Sequence, residues 1–105
     1  MWSPKGRRMF EWDERKRQLV REKHGFDLAE ASRLFGRPHM IVAARSDAED
    51  RFIALGMIDG RTAAVVYTHR GRKIRLITAR RMRRNEERAY RAYIAGRGDG
   101  AQGRD

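Results

Sequence analysis

Two glycine-containing turn signals divide the middle of the chain into three strand-like runs, and this pattern constrains the fold most strongly. Asp59-Gly60 is typical of a two-residue hairpin turn, and Arg70-Gly71 is a second turn signal. The runs beside these turns are rich in apolar and β-branched residues and cover residues 52–58, 63–68 and 73–79. Strands joined by short turns pair antiparallel, so the sequence predicts a meander with residues 63–68 at its centre.

Helix signals lie on both sides of this meander. Asp13 is a suitable N-cap for a charged helix that runs to about His24, and Gly25 supplies the stop. A second helix follows Asp27, and an apolar stripe that ends at Ile94 predicts a closing helix. This order predicts an α+β fold with an antiparallel sheet, two N-terminal helices and a C-terminal helix. We expect the helices to cover one face of the sheet and to leave the other open.

Length and composition predict one domain between two irregular ends. A chain of 105 residues is the size of a single domain, which we place at residues 9–95. We interpret residues 1–8 as a flexible N-terminal extension, and residues 96–105, which are rich in glycine and charge, as a disordered tail. No apolar stretch is long enough to span a bilayer, and no signal peptide is recognisable. The expected location is the cytoplasm, which also agrees with the absence of cysteine.

The charge of the chain favours a polyanionic partner. The 25 Lys and Arg residues outnumber the 14 Asp and Glu residues and give a formal net charge of +11. Such a charge attracts nucleic acid through phosphate contacts and counterion release. Most of these cations are arginine, whose guanidinium contacts phosphate in a bidentate manner. Nucleic acid is therefore the leading class of ligand.

Positive charge is concentrated in the second turn of the meander, in its last strand and at the start of the closing helix. The basic residues of this region are Arg70, Arg72, Lys73, Arg75, Arg80, Arg81, Arg83, Arg84 and Arg88. Arg70, Arg75 and Arg80 stand at turns or within strands, where a rigid scaffold can aim them at a phosphate. The RNA-binding set that we predict is Arg72, Lys73, Arg75 and Arg81. For Arg72, Arg83 and Arg84, solvated surface charge is the simpler explanation.

Candidates for acid–base chemistry are few. Metal-assisted cleavage needs clustered carboxylate or histidine ligands, and the sequence shows no such cluster, so no metal or other cofactor is expected. RNA cleavage without a metal uses the substrate's 2′-hydroxyl as nucleophile, and the protein moves protons and stabilises charge. The titratable candidates are His24, His39 and His69, with Glu49 and Tyr67 after them. A helix C-terminus favours a charged His24, although an ordinary helix-end histidine explains it equally well.

A set of residues along most of the chain resembles the BrnT toxins in order and spacing. These are Phe10-Glu11-Trp12-Asp13, Lys16, Lys23-His24-Gly25, Glu30-Ala31, Phe35, Pro38, Glu49, Arg51, Gly56, Val66-Tyr67-Thr68, Arg70-Gly71, Ile74-Arg75, Ala79-Arg80, Glu86 and Tyr90. The resemblance implies a RelE-like ribonuclease fold and RNA cleavage that arrests translation. It also implies neutralisation by a ribbon-helix-helix antitoxin of the BrnA type, in a complex of two toxins with two antitoxins.

The resemblance further implies which positions are functional. These are Lys23, His24, Glu49, Arg51, Arg70, Arg75 and Arg80. We hypothesise that Arg70 and Arg80 clamp the scissile phosphate. Lys23 and His24 then supply proton transfer or charge, with Glu49 to orient them, and Arg51 completes the catalytic set. Strict alternation along a strand puts Arg75 and Arg80 on opposite faces, so both reach one phosphate only if the strand ends or bulges before Arg80.

Two other hypotheses stay open. The composition also permits a basic module that binds nucleic acid without catalysis. Alternatively, the basic face is mainly a docking site for an acidic antitoxin segment, either on residues 70–88 or in the groove beside the first helix. Removal of Arg80 is expected to abolish growth inhibition and to leave folding intact, since an arginine at a strand end contributes more to phosphate charge than to the core.

Overall fold

The chain forms a five-stranded sheet with helices on both faces. The computed structural model describes residues 9–44 and 50–101, with side chains as far as residue 96. The elements in chain order are β1 (Met9–Glu11), α1 (Glu14–His24), α2 (Leu28–Ala31), a 3₁₀ helix (Ser32–Gly36), β2 (Met40–Ala44), β3 (Arg51–Ile58), β4 (Arg61–Arg70), β5 (Lys73–Arg81) and α3 (Arg84–Ala101). The order of strands in the sheet is β1-β5-β4-β3-β2. The predicted α+β class is therefore confirmed.

The ends of the domain are described only in part. α3 continues to Ala101, so its backbone passes the boundary at residue 95 that the sequence suggested. The predicted N-terminal extension, residues 1–8, lies outside the described residues, as do residues 102–105. No helix within residues 9–44 and 50–101 combines the length and the apolar character needed to cross a membrane.

The strands β3, β4 and β5 form the predicted antiparallel meander. Asp59 and Gly60 have positive φ angles of 51° and 75°, as a type I′ hairpin turn requires, and Gly71 has a φ of 60° in the next turn. Ala63 and Val65 of β4 are fully buried. The strand rich in small and β-branched residues thus lies at the centre of the sheet, as the sequence predicts.

The sheet is mixed rather than antiparallel throughout, which corrects the prediction. β1 pairs in parallel with the start of β5, and Glu11 lies beside Arg75. On one face of β1, Phe10 packs against Phe35 with ring centroids 5.3 Å apart. On the other face, Glu11 forms an ion pair with Arg75. Because this contact joins residues 64 positions apart, no local turn signal indicates the direction of the pairing.

Helices cover both faces of the sheet, so the prediction of one open face is wrong. On one face, Val20 of α1 and Leu28 of α2 pack in a cluster with Val65. On the other face, Tyr90 of α3 packs against Leu55 and its neighbours. The physical reason lies in β3 and β4, which carry apolar residues at successive positions. Strands of that composition are typically buried on both faces.

A bulge at Ile77 changes the alternation of side chains along β5. The register with β4 shifts between Val66 and Tyr67, where Ile77 is the extra residue of β5. A strand without a bulge would put Arg75 and Arg80 on opposite faces. The bulge instead brings both side chains onto the face that carries α3. The sequence alone required a bulge or a strand end before Arg80 for this to happen.

Asp27 joins the first two helices. Its carboxylate accepts a hydrogen bond from the backbone N–H of Ala29 at the start of α2. It also accepts hydrogen bonds from Arg17 Nε at 2.8 Å and from Arg21 Nη2 at 2.9 Å, both on α1. The hydrogen bond from Arg17 lowers the pKa of Asp27 most, and those from Ala29 and Arg21 lower it further, against the opposing effect of burial.

We expect the free energy of unfolding to fall as the pH is lowered from about 5 to about 2. The pKa of Asp27 is lower in the folded chain than its ordinary value of 3.8, so the unfolded chain binds the proton first. The stabilisation is complete above the ordinary pKa and is lost as the pH falls through the folded pKa. Urea unfolding midpoints over this range measure the effect. Asp27→Asn, which has no titratable group there, should show a weaker pH dependence; equal dependence would contradict this prediction.

Candidate functional site

A row of polar side chains crosses four strands on the face that carries α3. Thr68 of β4 pairs with Arg75 of β5, and Arg75 pairs with Glu11 of β1. The pairing of Phe52 with Tyr67 places Arg51 of β3 opposite Thr68. We call Arg51, Thr68, Arg75 and Glu11 the cross-strand row. It lies beside the apolar cluster beneath α3 and includes none of that cluster's residues. Thr68 is buried, whereas the side chain of Arg75 is 30% exposed and can therefore be reached by a phosphate.

Glu11 organises the charge at one end of the cross-strand row. Its carboxylate accepts a hydrogen bond from Arg75 Nη1 at 3.0 Å and lies 3.8 Å from Lys73 Nζ. The hydrogen bond from Arg75 lowers the pKa of Glu11, and the charges of Arg75, Lys73 and Arg70 lower it further. An ionised Glu11 orients the guanidinium of Arg75. Arg70 and Lys73, which pair with each other at the exposed end of the hairpin, extend the positive surface.

Lys23 and His24 lie at a second place, the end of α1. With Lys16, Leu19, Val20, Glu22, Ile77 and Thr78 they line a groove of about 570 Å³ between α1 and β5. Lys23 is exposed and His24 is partly buried. We call this the α1–β5 groove. Its composition is apolar in the middle and mainly basic along the rim, so it can bind a ligand that has apolar and anionic parts.

The structure places the predicted catalytic residues in two groups rather than one. The groove reaches β5 at Thr78, which pairs with Val66 of β4. Arg75 of the cross-strand row pairs with Thr68, which lies two positions from Val66 along β4. At the usual rise along a strand this is about 7 Å. α1 packs on the opposite face of the sheet from the cross-strand row, so the two groups approach each other only around the outer edge of β5.

Arg80 is held in a paired position at the start of α3. Its Nη1 and Nη2 donate to Glu86 Oε1 and Oε2 at 2.8 and 3.0 Å, and only 16% and 11% of the two side chains are exposed. Glu86 Oε1 also accepts from the backbone N–H of Arg83, which caps the helix. The hydrogen bond from Arg80 lowers the pKa of Glu86, and Glu86 raises that of Arg80. These contacts make the ion pair part of the packing, so loss of Arg80 should affect folding.

The family model for the ribonuclease toxin BrnT of type II toxin-antitoxin systems matches residues 12–86. The chain belongs to the BrnT family. A type II toxin of this kind has an RNA substrate and an antitoxin partner. The matched range contains both the groove residues and the arginines of the cross-strand row, while Glu11 and most of α3 lie outside it.

A solved structure supports the assignment to the BrnT family. The fold resembles the 1.1 Å crystal structure of the Brucella abortus ribonuclease toxin BrnT, with a TM-score of 0.55 and 27% sequence identity. The similarity covers 72% of this chain and 99% of that one. A search of curated proteins found no significant match.

Of the remaining predicted residues, Arg72 and Arg81 are described by the structure. Glu49 lies outside the described residues. Arg72 is exposed in the turn between β4 and β5, and Arg81 is exposed at the end of β5. Arg72 lies in the same hairpin as Arg70 and Lys73, whereas Arg81 belongs neither to the cross-strand row nor to the lining of the groove. Within residues 9–44 and 50–101, no group of three or more His, Cys, Asp or Glu side chains is arranged to hold a metal ion.

The other two histidines border an aromatic cluster. The His69 ring lies 5.5 Å from that of Phe52 and 5.7 Å from that of Tyr67, which is buried in the core. The His39 ring lies 5.5 Å from that of Phe35. The aromatic neighbours of both rings belong to the core on the face that carries α1. Neither histidine belongs to the cross-strand row or lines the α1–β5 groove.

Sequence reasoning missed two residues that position the candidate groups. Glu11 is among the residues that resemble the BrnT toxins, but the sequence gives it no role because its pairing partner, Arg75, is distant in the chain. Arg61 donates from Nη2 to the carbonyl of Gly25 at 2.8 Å and stacks over the Phe26 ring at 4.1 Å. It therefore holds the end of α1 that carries His24. In the sequence Arg61 is a lone arginine after the hairpin turn. A sequence alone does not distinguish such a residue from a solvated surface charge.

Proposed function

We propose that this chain is an endoribonuclease toxin that cleaves RNA without a metal ion and thereby inhibits translation. Its membership of a ribonuclease toxin family carries the proposal. The net charge of +11 supports RNA as the ligand. The two groups of basic side chains both reach β5, so an RNA strand that passes around the outer edge of the sheet can contact both.

In this proposal the cross-strand row and the hairpin bind the RNA backbone. Arg75, oriented by Glu11, and Arg51 contact one phosphate group, and Arg70 with Lys73 contacts the adjacent part of the strand. Arg72 and Arg81 add positive charge at the two ends of this path. Guanidinium groups suit the role because they donate two parallel hydrogen bonds to a phosphate.

The chemical step is assigned to the α1–β5 groove. The 2′-oxygen of the substrate attacks the phosphorus and forms a 2′,3′-cyclic phosphate, and the bond to the 5′-oxygen breaks. His24 donates a proton to the departing 5′-oxygen, while Lys23 stabilises the charge on the phosphate oxygens in the transition state. The proton of the 2′-hydroxyl passes to solvent water, and Glu49, which lies outside the described residues, has the role of orienting Lys23 and His24. Arg80 acts through Glu86 by fixing the end of β5, as a positioning residue.

The BrnT family belongs to type II toxin-antitoxin systems, so the activity of this chain is expected to be regulated by an antitoxin. We propose that the antitoxin is a ribbon-helix-helix protein of the BrnA type that forms a complex of two toxins with two antitoxins, and that the fold is RelE-like. These assignments rest on the family resemblance. The high positive charge of the toxin supports rapid, salt-sensitive binding to an acidic partner.

Cleavage in the presence of EDTA tests the proposed reaction. We expect the purified chain to cut a defined RNA with EDTA present and to produce 5′-hydroxyl ends, which polynucleotide kinase labels without prior phosphatase treatment. His24→Gln, purified in the same way, is the control for a contaminating ribonuclease and should cleave far more slowly. RNA that shifts on a native gel yet stays intact at high protein concentration would instead identify a binding module without catalysis.

A further inference from the structure

The outer edge of β5 is only partly covered. β1 pairs with Lys73–Arg75 alone, whereas β4 runs beside β5 from Lys73 to Arg81. Beyond Arg75, no strand of the described part of the chain pairs with that outer edge. An open edge presents backbone N–H and C=O groups that pair readily with an added strand. The second half of β5 is therefore available for strand addition.

The α1–β5 groove runs beside this open edge. Its middle is apolar, and Leu19, which lines it, is 62% exposed although it is a large hydrophobic residue. Lys16, Lys23 and His24 supply a basic rim, against a single lining carboxylate, Glu22. A segment that docks there thus meets backbone hydrogen-bonding groups, an apolar floor and positive charge.

We propose that the antitoxin binds at this place by adding an extended, acidic segment to the open edge of β5. The identity of the partner rests on the proposed function. One apolar side chain of the segment covers Leu19, and acidic side chains face Lys16 and Lys23. A peptide uses the open edge fully, because its own backbone supplies the complementary hydrogen bonds. The segment covers His24 and Lys23 and so excludes RNA from the site of chemistry.

Charge and chemistry favour this occupant over two others. A second copy of the chain would bring another net charge of +11 to the same edge, which is unfavourable. RNA has phosphates for the basic rim but lacks the alternating N–H and C=O groups that pair with a strand edge. An acidic extended segment can pair with the open edge of β5, pack on the apolar residues of the groove and form ion pairs with the basic residues on its rim.

Two matched substitutions test the docking surface. Leu19→Glu removes the apolar contact and places a negative charge against the acidic segment. Ile41→Glu makes the same change at another large exposed apolar side chain, Ile41 of β2 at the opposite edge of the sheet, which is 50% exposed. The binding partner is the purified product of the reading frame adjacent to the gene of this chain. We expect Leu19→Glu to weaken its binding by about tenfold or more, and Ile41→Glu to change it by less than about twofold.

Hydrogen exchange locates the added strand directly. With antitoxin bound, the amides of residues 77–81 should exchange more slowly, while those of β2 should not change. Protection confined to β2 or α3, or equal binding by the Leu19→Glu and wild-type chains, would overturn the proposal. Circular dichroism melting of both variants shows whether they are folded before binding is compared. Neither measurement depends on RNA cleavage, so a negative result here leaves the EDTA test unaffected, and the reverse also holds.

Discussion

Replacement of Arg80 by alanine is expected to lower the free energy of unfolding by about 2 to 3 kcal/mol. The substitution removes both hydrogen bonds to the Glu86 carboxylate, of which only 11% is exposed. Loss of one partner of a buried ion pair costs about 3 to 5 kcal/mol because the other charge is left uncompensated, and partial exposure reduces that cost. In a domain of this size the melting temperature should fall by about 10 °C or more. Thermal unfolding followed by circular dichroism measures the change.

Two further variants separate the structural role of Arg80 from a role in RNA binding. Arg80→Met combined with Glu86→Leu removes both charges and leaves apolar side chains of similar volume, so part of the stability should return. Loss of the hydrogen bond that Glu86 accepts from the backbone N–H of Arg83 should keep the double variant less stable than the wild type. Arg81→Ala removes a positive charge from an exposed neighbour and should change stability by less than about 0.5 kcal/mol. If Arg80→Ala is as stable as the wild type, the ion pair does not contribute to folding. If the double variant is stable and still active, Arg80 has no necessary contact with the substrate.

Replacement of Arg75 by alanine is expected to reduce kcat/KM for RNA cleavage by about tenfold or more, mainly through KM, because it removes a hydrogen-bonded contact with an RNA phosphate worth about 1.5 to 3 kcal/mol. Its ion pair with Glu11 is partly exposed, with 30% and 27% of the side chains accessible. The loss of stability should therefore be small, as is usual for exposed ion pairs. Initial cleavage rates and urea unfolding on the same preparation compare the two effects. Arg75→Lys, which keeps the charge without the bidentate geometry, should be intermediate.

Arg72→Ala is the matched control for Arg75→Ala. It removes the same charge three residues away, from an exposed position in the turn. We expect a loss of activity of less than about threefold, because a flexible surface charge contributes mainly to long-range attraction. Equal losses in the two variants would show that overall charge, and not the cross-strand row, determines activity. A large loss of stability in Arg75→Ala would assign its contact with Glu11 to folding instead.

The parts of the fold that were predictable depend on neighbouring residues. Asp59-Gly60 predicts a hairpin because few residue pairs adopt two positive φ angles, and the structure has that turn. Asp13 and Gly25 lie at the two ends of α1 for equally local reasons, one as a side-chain acceptor and the other as a left-handed residue. The candidate arginines could also be named from the sequence, because their density is a matter of composition.

The sequence by itself thus determined the meander, its turns, the family and the high positive charge of the chain. Only the tertiary structure decided that β1 is parallel to β5, that α3 covers the second face, and that the candidate site divides between the cross-strand row and the α1–β5 groove. It also decided that Arg75 is oriented by Glu11 while Arg80 is held by Glu86. The physical reason is common to all of these. Each depends on which distant segments become neighbours when the core packs, and a single extra residue, the bulge at Ile77, changes the face on which Arg80 lies.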